Sequence, residues 1–265
     1  MQRIADYEFV RPLGDGNHGT FHLATRPARL PVLDAQVAVK VMSAPTSEET
    51  FRRATKELRA FAAVRSPYLV QLYDAGQEGP VFYYAMEFLP LGSLASPARP
   101  LDGSEVLRAV EHAARAAHAL HESGLVHRDI KPSNVLLHER GAKLSDLGLA
   151  QVLAPGMTVT GMGPLASLEY VDPQVLTGGR ASRATDIWSL GATLHAAVAG
   201  PGIYGLLPDR DPLLALRKVL STTPTASADL PPDVRSLVER CIAPDAADRP
   251  GTAQELAEAL AELQR

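Results

Sequence analysis

Two short polar stretches in the middle of the chain carry residue types whose spacing suits phosphoryl transfer. The first, at 127–134, reads HRDIKPSN, and the second, at 146–148, reads DLG. Phosphoryl transfer requires mainly positioning and charge neutralisation from a protein, with little covalent chemistry. Asp129 is spaced to orient the proton of an attacking hydroxyl, and Lys131 can stabilise charge on the transferring group.

Asn134 and Asp146 add hard oxygen ligands, the type that holds Mg²⁺ against phosphates. A purely structural interpretation would make both stretches polar loops with satisfied carboxylates. The order and spacing of the residues disfavour that interpretation. We therefore predict catalytic roles for Asp129 and Lys131 and metal binding by Asn134 and Asp146.

A glycine-rich turn near the start of the chain could receive phosphates. Its six residues are Gly14, Asp15, Gly16, Asn17, His18 and Gly19. Glycines let backbone N–H groups approach phosphates closely and tolerate positive φ. The pattern alone is weak, because many surface hairpins carry three glycines. A dinucleotide fold would need a helix after the turn, whereas β-prone runs flank this turn on both sides.

A lysine and a glutamate follow on separate predicted elements. Lys40 ends the apolar run 37–40, and Glu57 falls on the helical pattern that comes next. A lysine at the end of an apolar strand is usually a solvated edge. If a carboxylate holds the lysine in place, however, the lysine can present its positive charge to phosphate oxygens. Both residues therefore join the candidate catalytic set, while the solvated-edge interpretation stays open.

Hydrophobic periodicity divides the chain into a β-rich first third and a mostly helical remainder. Strands are predicted at 7–13, 20–24, 36–42, 70–74 and 81–88, and helices at 104–122, 184–199, 231–242 and 252–263. An earlier helix opens at Ser47, with Phe51, Leu58, Phe61 and Val64 on its apolar face. We predict an α+β fold with two lobes in one domain, 1–265: a small lobe at 1–86, a hinge at 87–92 and a larger helical lobe at 93–265.

The composition is that of a folded soluble protein, with 46% hydrophobic and 21% charged residues. A net charge of −4 without runs of like charge gives no reason to expect a nucleic-acid partner. Cys241 is the only cysteine, which excludes an intramolecular disulfide and fits a reducing compartment. Because signal-peptide, myristoylation and bilayer-spanning patterns are missing, we expect a cytoplasmic chain without a membrane segment. It could still be the catalytic part of a longer gene product.

Together these motifs resemble the eukaryotic-type (Hanks-type) protein serine/threonine kinase family. The resemblance runs from about residue 7 to 263, and compact loops with an Ala/Arg/Leu-rich composition resemble the bacterial branch. The glycine-rich loop, the strand lysine, the helix glutamate, the catalytic loop and the magnesium motif match in order. DIWSLG at 186–191 and DRP at 248–250 resemble the family's central helix start and its late signature.

The resemblance implies a reaction and further contacts. ATP with Mg²⁺, or with Mn²⁺, would be the donor, and serine or threonine hydroxyls of protein substrates would be the acceptors, since Lys131 in the catalytic loop is typical of that specificity. Ser167 stands where the family usually has a threonine near the catalytic aspartate. The nucleotide-binding residues implied beyond the glycine-rich loop and Lys40 are Leu13, Phe21, Ala38, Met86 as gatekeeper, Glu87 and Leu89 through their backbone, and Leu136.

Gln174 departs from the family pattern in a way that concerns a buried charge. The family has a glutamate there, paired with the arginine that corresponds to Arg249. A buried arginine without a charged partner is costly unless another acceptor is present, so we predict a weakened or alternative anchor for the segment before it. A second departure, Leu147 for phenylalanine, keeps an apolar side chain and should matter little.

Regulation and alternatives remain open. Thr158 and Thr160 are candidate autophosphorylation sites, which would involve self-association, because Arg128 beside Asp129 could receive a phosphate. A pseudokinase that only binds nucleotide or acts as a scaffold is the first alternative, with Gln174 as its main support. A small-molecule kinase such as an antibiotic phosphotransferase is the second, although Lys131 and the segment 146–173 argue against it.

Overall fold

The computed structural model describes residues 2–16, 19–146, 165–208 and 211–265. Backbone proximity groups these residues into two compact units. The first unit contains described residues within 1–63 and 70–89, and the second contains those within 64–69, 90–148 and 158–265. The lobe and hinge boundaries taken from the sequence, 1–86, 87–92 and 93–265, stay a prediction.

One antiparallel sheet dominates the first unit, with strand order β1-β2-β3-β4-β6-β5. Its elements are β1 (Arg3–Ile4), β2 (Tyr7–Gly16), β3 (Gly19–Thr25), β4 (Gln36–Met42), α1 (Glu48–Ala63), β5 (Leu72–Glu78) and β6 (Val81–Glu87). Val37, Val39 and Val41 alternate along β4, so their β-branched side chains share one face. There they pack in a core cluster with Ile4 and Tyr7.

Helix α1 buries a narrow apolar stripe. Ala54, Leu58 and Phe61 are its buried residues, spaced as one face of a helix requires. The helix ends at Ala63, so the prediction that Val64 belongs to this face was wrong. The Ser-Pro pair at 66–67 explains the early end, because the residue before a proline disfavours the helical conformation.

The second unit is mainly helical and is organised around α4. Its elements are β7 (Gly92–Ser93), β8 (Ser96–Pro97), α2 (Gly103–Glu122), β9 (Val135–His138), β10 (Gly141–Leu144), α3 (Pro173–Leu176), α4 (Arg183–Ala199), α5 (Pro212–Ser221), α6 (Pro232–Cys241) and α7 (Ala253–Glu262). α4 is buried continuously from Thr185 to His195 and packs against α2 and α6. A Cβ added to Gly191 would lie 2.4 Å from the Cβ of Cys241, so a residue without a side chain permits this close α4–α6 approach.

The α+β prediction is confirmed, with a β-rich first unit and a helical second unit. The four predicted helices after residue 100 agree with the structure to within one residue at each end, and the strand 36–42 coincides with β4. Residues 95–102 contain no helix, and β8 occupies part of this range. No described helix combines the length and the apolar character needed to cross a bilayer.

Candidate active site

The backbone at the start of the first polar stretch is held by a buried carboxylate on α4. Asp186 accepts hydrogen bonds from the backbone N–H of His127 at 2.8 Å, from that of Arg128 at 2.9 Å, and from His121 Nε2 at 2.8 Å. Arg128 has a φ of +70°, a left-handed conformation that costs a non-glycine residue roughly 1–2 kcal/mol. The surrounding hydrogen bonds therefore fix a loop conformation that the chain would not adopt alone.

A neutral histidine links the two polar stretches. His127 is fully buried; its Nε2 donates to the carbonyl oxygen of Ser145 at 3.0 Å, and its Nδ1 accepts the backbone N–H of Asp129 at 3.4 Å. One ring nitrogen must donate and the other must accept, so the pattern assigns the neutral Nε2–H tautomer. Burial lowers the pKa of His127, which favours the same neutral form.

The carboxylate of Asp129 is oriented by two neighbours in the same loop. Lys131 Nζ donates to Oδ1 and Oδ2 at 2.9 Å each, and Asn134 Nδ2 donates to Oδ2 at 3.0 Å and to the Asp129 carbonyl oxygen at 2.7 Å. A short 3₁₀ helix at Pro132–Asn134 brings these side chains together. The Asp129 side chain is 24% exposed and that of Lys131 is 7% exposed. The carboxylate is thus fixed but remains accessible to a hydroxyl.

Asn134 and Asp146, the predicted magnesium ligands, carry oxygen atoms of the type that Mg²⁺ prefers. Because Asn134 Nδ2 faces Asp129, its Oδ1 is left to face another group. Ser145 donates to the Asn134 carbonyl oxygen from its N–H at 2.8 Å and from its hydroxyl at 3.1 Å, which fixes the residue before Asp146 against Asn134. No cluster of three or more His, Cys, Asp or Glu able to hold a metal occurs in the described ranges. A cation here would take its remaining ligands from phosphates and water, as Mg²⁺ commonly does.

Ser167 contacts the same cluster from the segment that precedes α3. It lies in the 3₁₀ helix Leu165–Tyr170, and its Oγ accepts a hydrogen bond from Lys131 Nζ at 3.2 Å. The segment is attached to α4 at its other end, because Ser189 Oγ donates to the carbonyl oxygen of Tyr170 at 2.7 Å. The contact with Lys131 places a hydroxyl beside the predicted catalytic residues.

In the first unit, strand register gathers four predicted nucleotide-binding residues on one sheet face. Phe21 lies opposite Lys40, and Ala38 lies opposite Met86. Since Ala38 and Lys40 are two residues apart on β4, all four side chains project to the same side. Lys40 is 6% exposed, and its Nζ lies 4.7 Å from the centroid of the Phe21 ring. The lysine is therefore not a solvated strand edge.

The glycine-rich turn joins β2 and β3. Gly16 pairs with Gly19 across the hairpin, Gly14 has a φ of +143°, and Leu13 and Asp15 lie on β2. A Cβ on Gly19 would lie 2.4 Å from the carbonyl oxygen of the neighbouring strand. Asn17 and His18 lie outside the described residues.

The other predicted residues fall on several elements. Glu57 is half-buried on α1, and Leu89 is half-buried just after β6. The backbone N–H of Glu87 donates to the Gln71 carbonyl oxygen at 2.9 Å, so this N–H is already used and does not face a base. Leu136 is half-buried on β9 in the second unit. Leu147 and Gly148 lie outside the described residues, as do Thr158 and Thr160.

A comparison with known families agrees with this geometry. The family described as "Protein kinase domain" matches residues 7–260. The chain belongs to the protein kinase family. Its strand lysine, catalytic loop and glycine-rich hairpin are the elements by which the sequence had suggested this family.

The relatives of this kinase include bacterial serine/threonine kinases. It is 32% identical over 269 residues to serine/threonine-protein kinase PknK of Mycobacterium tuberculosis, and the match covers 98% of this chain and 24% of PknK. It is 28% identical to PrkC of Bacillus subtilis, covering 94% of this chain and 39% of PrkC, and 33% identical to PknA of M. tuberculosis, covering 78% and 50%. The chain thus spans about a quarter to a half of the length of these relatives.

A solved structure supports the fold assignment. The PknI kinase domain of M. tuberculosis, crystallised as a cysteine-to-alanine mutant, superimposes on this kinase with a TM-score of 0.69 at 25% identity, covering 98% of this chain and 96% of that one. The prediction of a bacterial Hanks-type serine/threonine protein kinase domain is confirmed by these comparisons.

Sequence reasoning missed one contact of the kinase, that of Asp186, and anticipated another, the anchor of Arg249, only in general terms. Asp186 had been recognised as part of a helix start, and nothing in the motif revealed that its carboxylate holds a loop 59 residues earlier. The alternative anchor expected near Gln174 is present. Arg249 Nη1 donates to Asp172 Oδ2 at 2.5 Å, with both side chains 1% exposed, whereas the Gln174 amide donates to the Pro244 carbonyl oxygen at 3.1 Å.

Proposed function

We propose that this kinase transfers the γ-phosphate of Mg-ATP to serine or threonine hydroxyls of protein substrates, including its own. The observation that carries the proposal is the arrangement around Asp129, whose partly exposed carboxylate is held by Lys131 and Asn134. This arrangement serves positioning and charge neutralisation, which are the main requirements of phosphoryl transfer.

Asp129 has the role of receiving the proton of the substrate hydroxyl. Hydrogen bonds from Lys131 and Asn134 fix the orientation of its carboxylate. Lys131 also places a positive charge where the transferring group would meet the hydroxyl. Ser167, in contact with Lys131, orients that amine from the substrate-side segment.

The first unit supplies nucleotide-binding groups. Lys40 would contact phosphate oxygens, with Glu57 as the family's partner for it, and the backbone of the glycine-rich turn would cover the phosphates. The apolar face of the sheet would contact adenine through Phe21, Ala38 and Met86. The family adds Leu13, Leu136 and the backbone of Glu87 and Leu89 to this set.

Asn134 and Asp146 would hold the magnesium ion. The ion supplies positive charge that neutralises the phosphates during transfer. The two side chains contribute an amide oxygen and a carboxylate, both suited to Mg²⁺ and also to Mn²⁺. Their own task is to fix the ion close to Asp129, to which Asn134 is already hydrogen-bonded.

A direct test combines labelled ATP with one conservative substitution. Purified protein, Mg²⁺, γ-labelled ATP and a generic acceptor such as casein should yield labelled serine and threonine, mapped by mass spectrometry. Asp129→Asn should abolish turnover while its affinity for nucleotide stays near that of the wild type. Asp233→Asn, which changes an exposed carboxylate, is the matched control. Undiminished transfer by Asp129→Asn would refute the assignment.

Autophosphorylation at Thr158 or Thr160 is the regulatory part of the proposal. Its support is Arg128, an exposed cation directly before Asp129, which suits a phosphate on the segment between 146 and 173. It requires that one copy of the kinase meets another. Alanine at both positions should lower activity, and unchanged turnover with an unmodified segment would dismiss the idea.

The pseudokinase alternative has lost its main support. It depended on an Arg249 left without a charged partner by Gln174, and Asp172 provides that partner. Lys40, Asp129 and Asp146 are all retained in the sequence. The small-molecule kinase alternative is disfavoured by the relatives, which are named serine/threonine-protein kinases.

A further inference from the structure

We propose that Asp172 is a positioning residue for phosphotransfer, which fixes through Arg249 the segment that carries Ser167. The family assigns this task to a glutamate at the position of Gln174, so in this chain the anchoring carboxylate has moved by two residues. The inference rests on the proposed function and concerns how its site is held in place.

Arg249 joins three parts of the second unit on one buried guanidinium. Nη1 donates to Asp172 Oδ2 at 2.5 Å and to the Ala184 carbonyl oxygen at 2.9 Å, and Nε donates to the Ala243 carbonyl oxygen at 2.9 Å. The guanidinium also lies 4.9 Å from the centroid of the Trp188 ring. The segment before α3, the first turn of α4 and the loop after α6 are thus held at fixed separations.

Asp172 uses its second carboxylate oxygen to start α3. Oδ1 accepts the backbone N–H of Gln174 at 2.9 Å, which makes Asp172 the N-cap of this helix. α3 has four residues, too few to be stable without such support. One carboxylate therefore caps the helix and pairs with Arg249, so a change at Asp172 affects the whole segment.

The anchored segment leads directly to the catalytic loop. Ser167 lies five residues before Asp172, and the intervening 3₁₀ helix is held at Tyr170 by Ser189. The Oγ of Ser167 receives the hydrogen bond from Lys131 Nζ, which also contacts Asp129. Because the connection is short and attached on both sides, the position of Asp172 sets the position of Ser167 against Lys131.

The side chain at 174 has a different role here. Gln174 is exposed, and its amide donates to the carbonyl oxygen of Pro244, the residue after the Ala243 acceptor of Arg249. Arg249 Nη2 is buried with no acceptor among the residues that the structure describes. We expect a glutamate at 174 to supply that acceptor. A carboxylate at 174 could then replace the one at 172 as the partner of Arg249.

The experiment exchanges the carboxylate between the two positions. Asp172→Asn, Asp172→Asn/Gln174→Glu and the control Asp233→Asn are compared with the wild type for kcat and for the KM of ATP, using casein and γ-labelled ATP. We expect Asp172→Asn to lower kcat about 10- to 100-fold, with the KM of ATP unchanged, because a small misplacement of the site has that effect. The double variant should recover most of this loss, and Asp233→Asn should match the wild type.

Several outcomes would overturn the positioning role while leaving the proposed function intact. These are a wild-type kcat in Asp172→Asn, a rise in the KM of ATP that accounts for the loss, and no recovery in the double variant. A wild-type protein that transfers no phosphate to any acceptor would instead remove the proposed function itself.

If Asp172→Asn fails to fold, a second variant that removes both charges of the ion pair takes its place. Asp172→Asn/Arg249→Met leaves no unpaired buried charge, so it should fold even where the single variant does not. Near-ultraviolet circular dichroism measures the folded fraction to which kcat is normalised. A lowered kcat in this folded variant supports the proposal. A wild-type kcat, or failure of this variant to fold as well, would assign the pair to stability alone and overturn it.

Discussion

Lys131 Nζ lies 2.9 Å from each carboxylate oxygen of Asp129 and 3.2 Å from Ser167 Oγ. One ammonium therefore contacts the residue that would receive the substrate proton and the segment on the substrate side. Its two bonds to Asp129 fix the direction of the carboxylate, and its contact with Ser167 joins the loop to the segment before α3. The consequences can be measured.

Lys131→Met should lower kcat by about 100- to 1,000-fold, the range seen when one group that stabilises transition-state charge is removed. The affinity for ATP should change little, because Lys40 and the glycine-rich turn lie in the first unit. Steady-state phosphorylation of casein, with the KM of ATP determined in parallel, measures both. Lys56→Met on the exposed side of α1 is the matched control. A kcat within about twofold of the wild type would contradict the role.

Asp186→Asn should destabilise the kinase by about 2–3 kcal/mol, since a buried carboxylate with three donors would be replaced by an amide that opposes one of them. Urea unfolding followed by tryptophan fluorescence measures the change. Asp229→Asn, at an exposed site, should stay within about 0.5 kcal/mol of the wild type. Equal stabilities for the two variants would show that the three hydrogen bonds contribute little.

His195 should make stability depend on pH below about 6.5. Its Nε2 accepts the backbone N–H of Ser227 at 2.9 Å, and burial lowers the pKa of the ring from 6.5. Below about pH 6.5 the unfolded chain binds a proton that the folded chain resists, so the free energy of unfolding falls as the pH falls.

The matching test replaces His195 by glutamine, which keeps an acceptor and does not titrate. Urea unfolding between about pH 5 and 7.5 should show a shallower dependence in His195→Gln than in the wild type. His112 and His127, whose pKa values burial also lowers, would retain part of the slope. If the free energy of unfolding depends on pH equally in the variant and the wild type, His195 does not contribute to the pH dependence.

Gly191→Ala should destabilise the second unit by about 1–3 kcal/mol. The added methyl would meet Cys241 Cβ at 2.4 Å and Ile242 Cγ2 at 3.3 Å, and overpacking of this kind outweighs the roughly 1 kcal/mol by which alanine favours a helix. Gly103→Ala, where a Cβ would meet nothing within 4 Å, should be neutral or stabilising. Thermal unfolding of both variants decides between packing and helix propensity.

The long elements were predictable from the sequence because their periodicity is strong. β4 coincides with its predicted bounds, since a short, mainly apolar run with alternating valines favours a strand. Type and spacing predicted that Asp129, Lys131 and Asn134 act together, and the structure brings these three side chains into contact, while their catalytic and metal roles stay predictions. Local patterns were therefore sufficient for these parts of the molecule.

The features that were missed either lack a clear local pattern or depend on partners distant in the chain. α5 has two exposed leucines, Leu213 and Leu214, directly after its proline, which obscures its periodicity. β7 and β8 contain two residues each, too few to show any pattern. The pairing of Asp172 with Arg249 spans 77 residues. Nothing in the local sequence around Asp172 distinguishes it from an aspartate on the surface. Such contacts are set by packing and not by local propensity.

Arg128 and Asp146 hold left-handed backbone conformations, with φ values of +70° and +58°. Glycine adopts these angles without strain, so replacing either residue by glycine would relieve a cost of about 1 kcal/mol for the backbone. The same replacement removes the Arg128 guanidinium or the Asp146 carboxylate, to which the proposed function gives roles in phosphate and metal binding. Under the proposed function, selection for heat resistance alone would therefore favour glycine at these two positions at the expense of activity, so a selection has to include turnover.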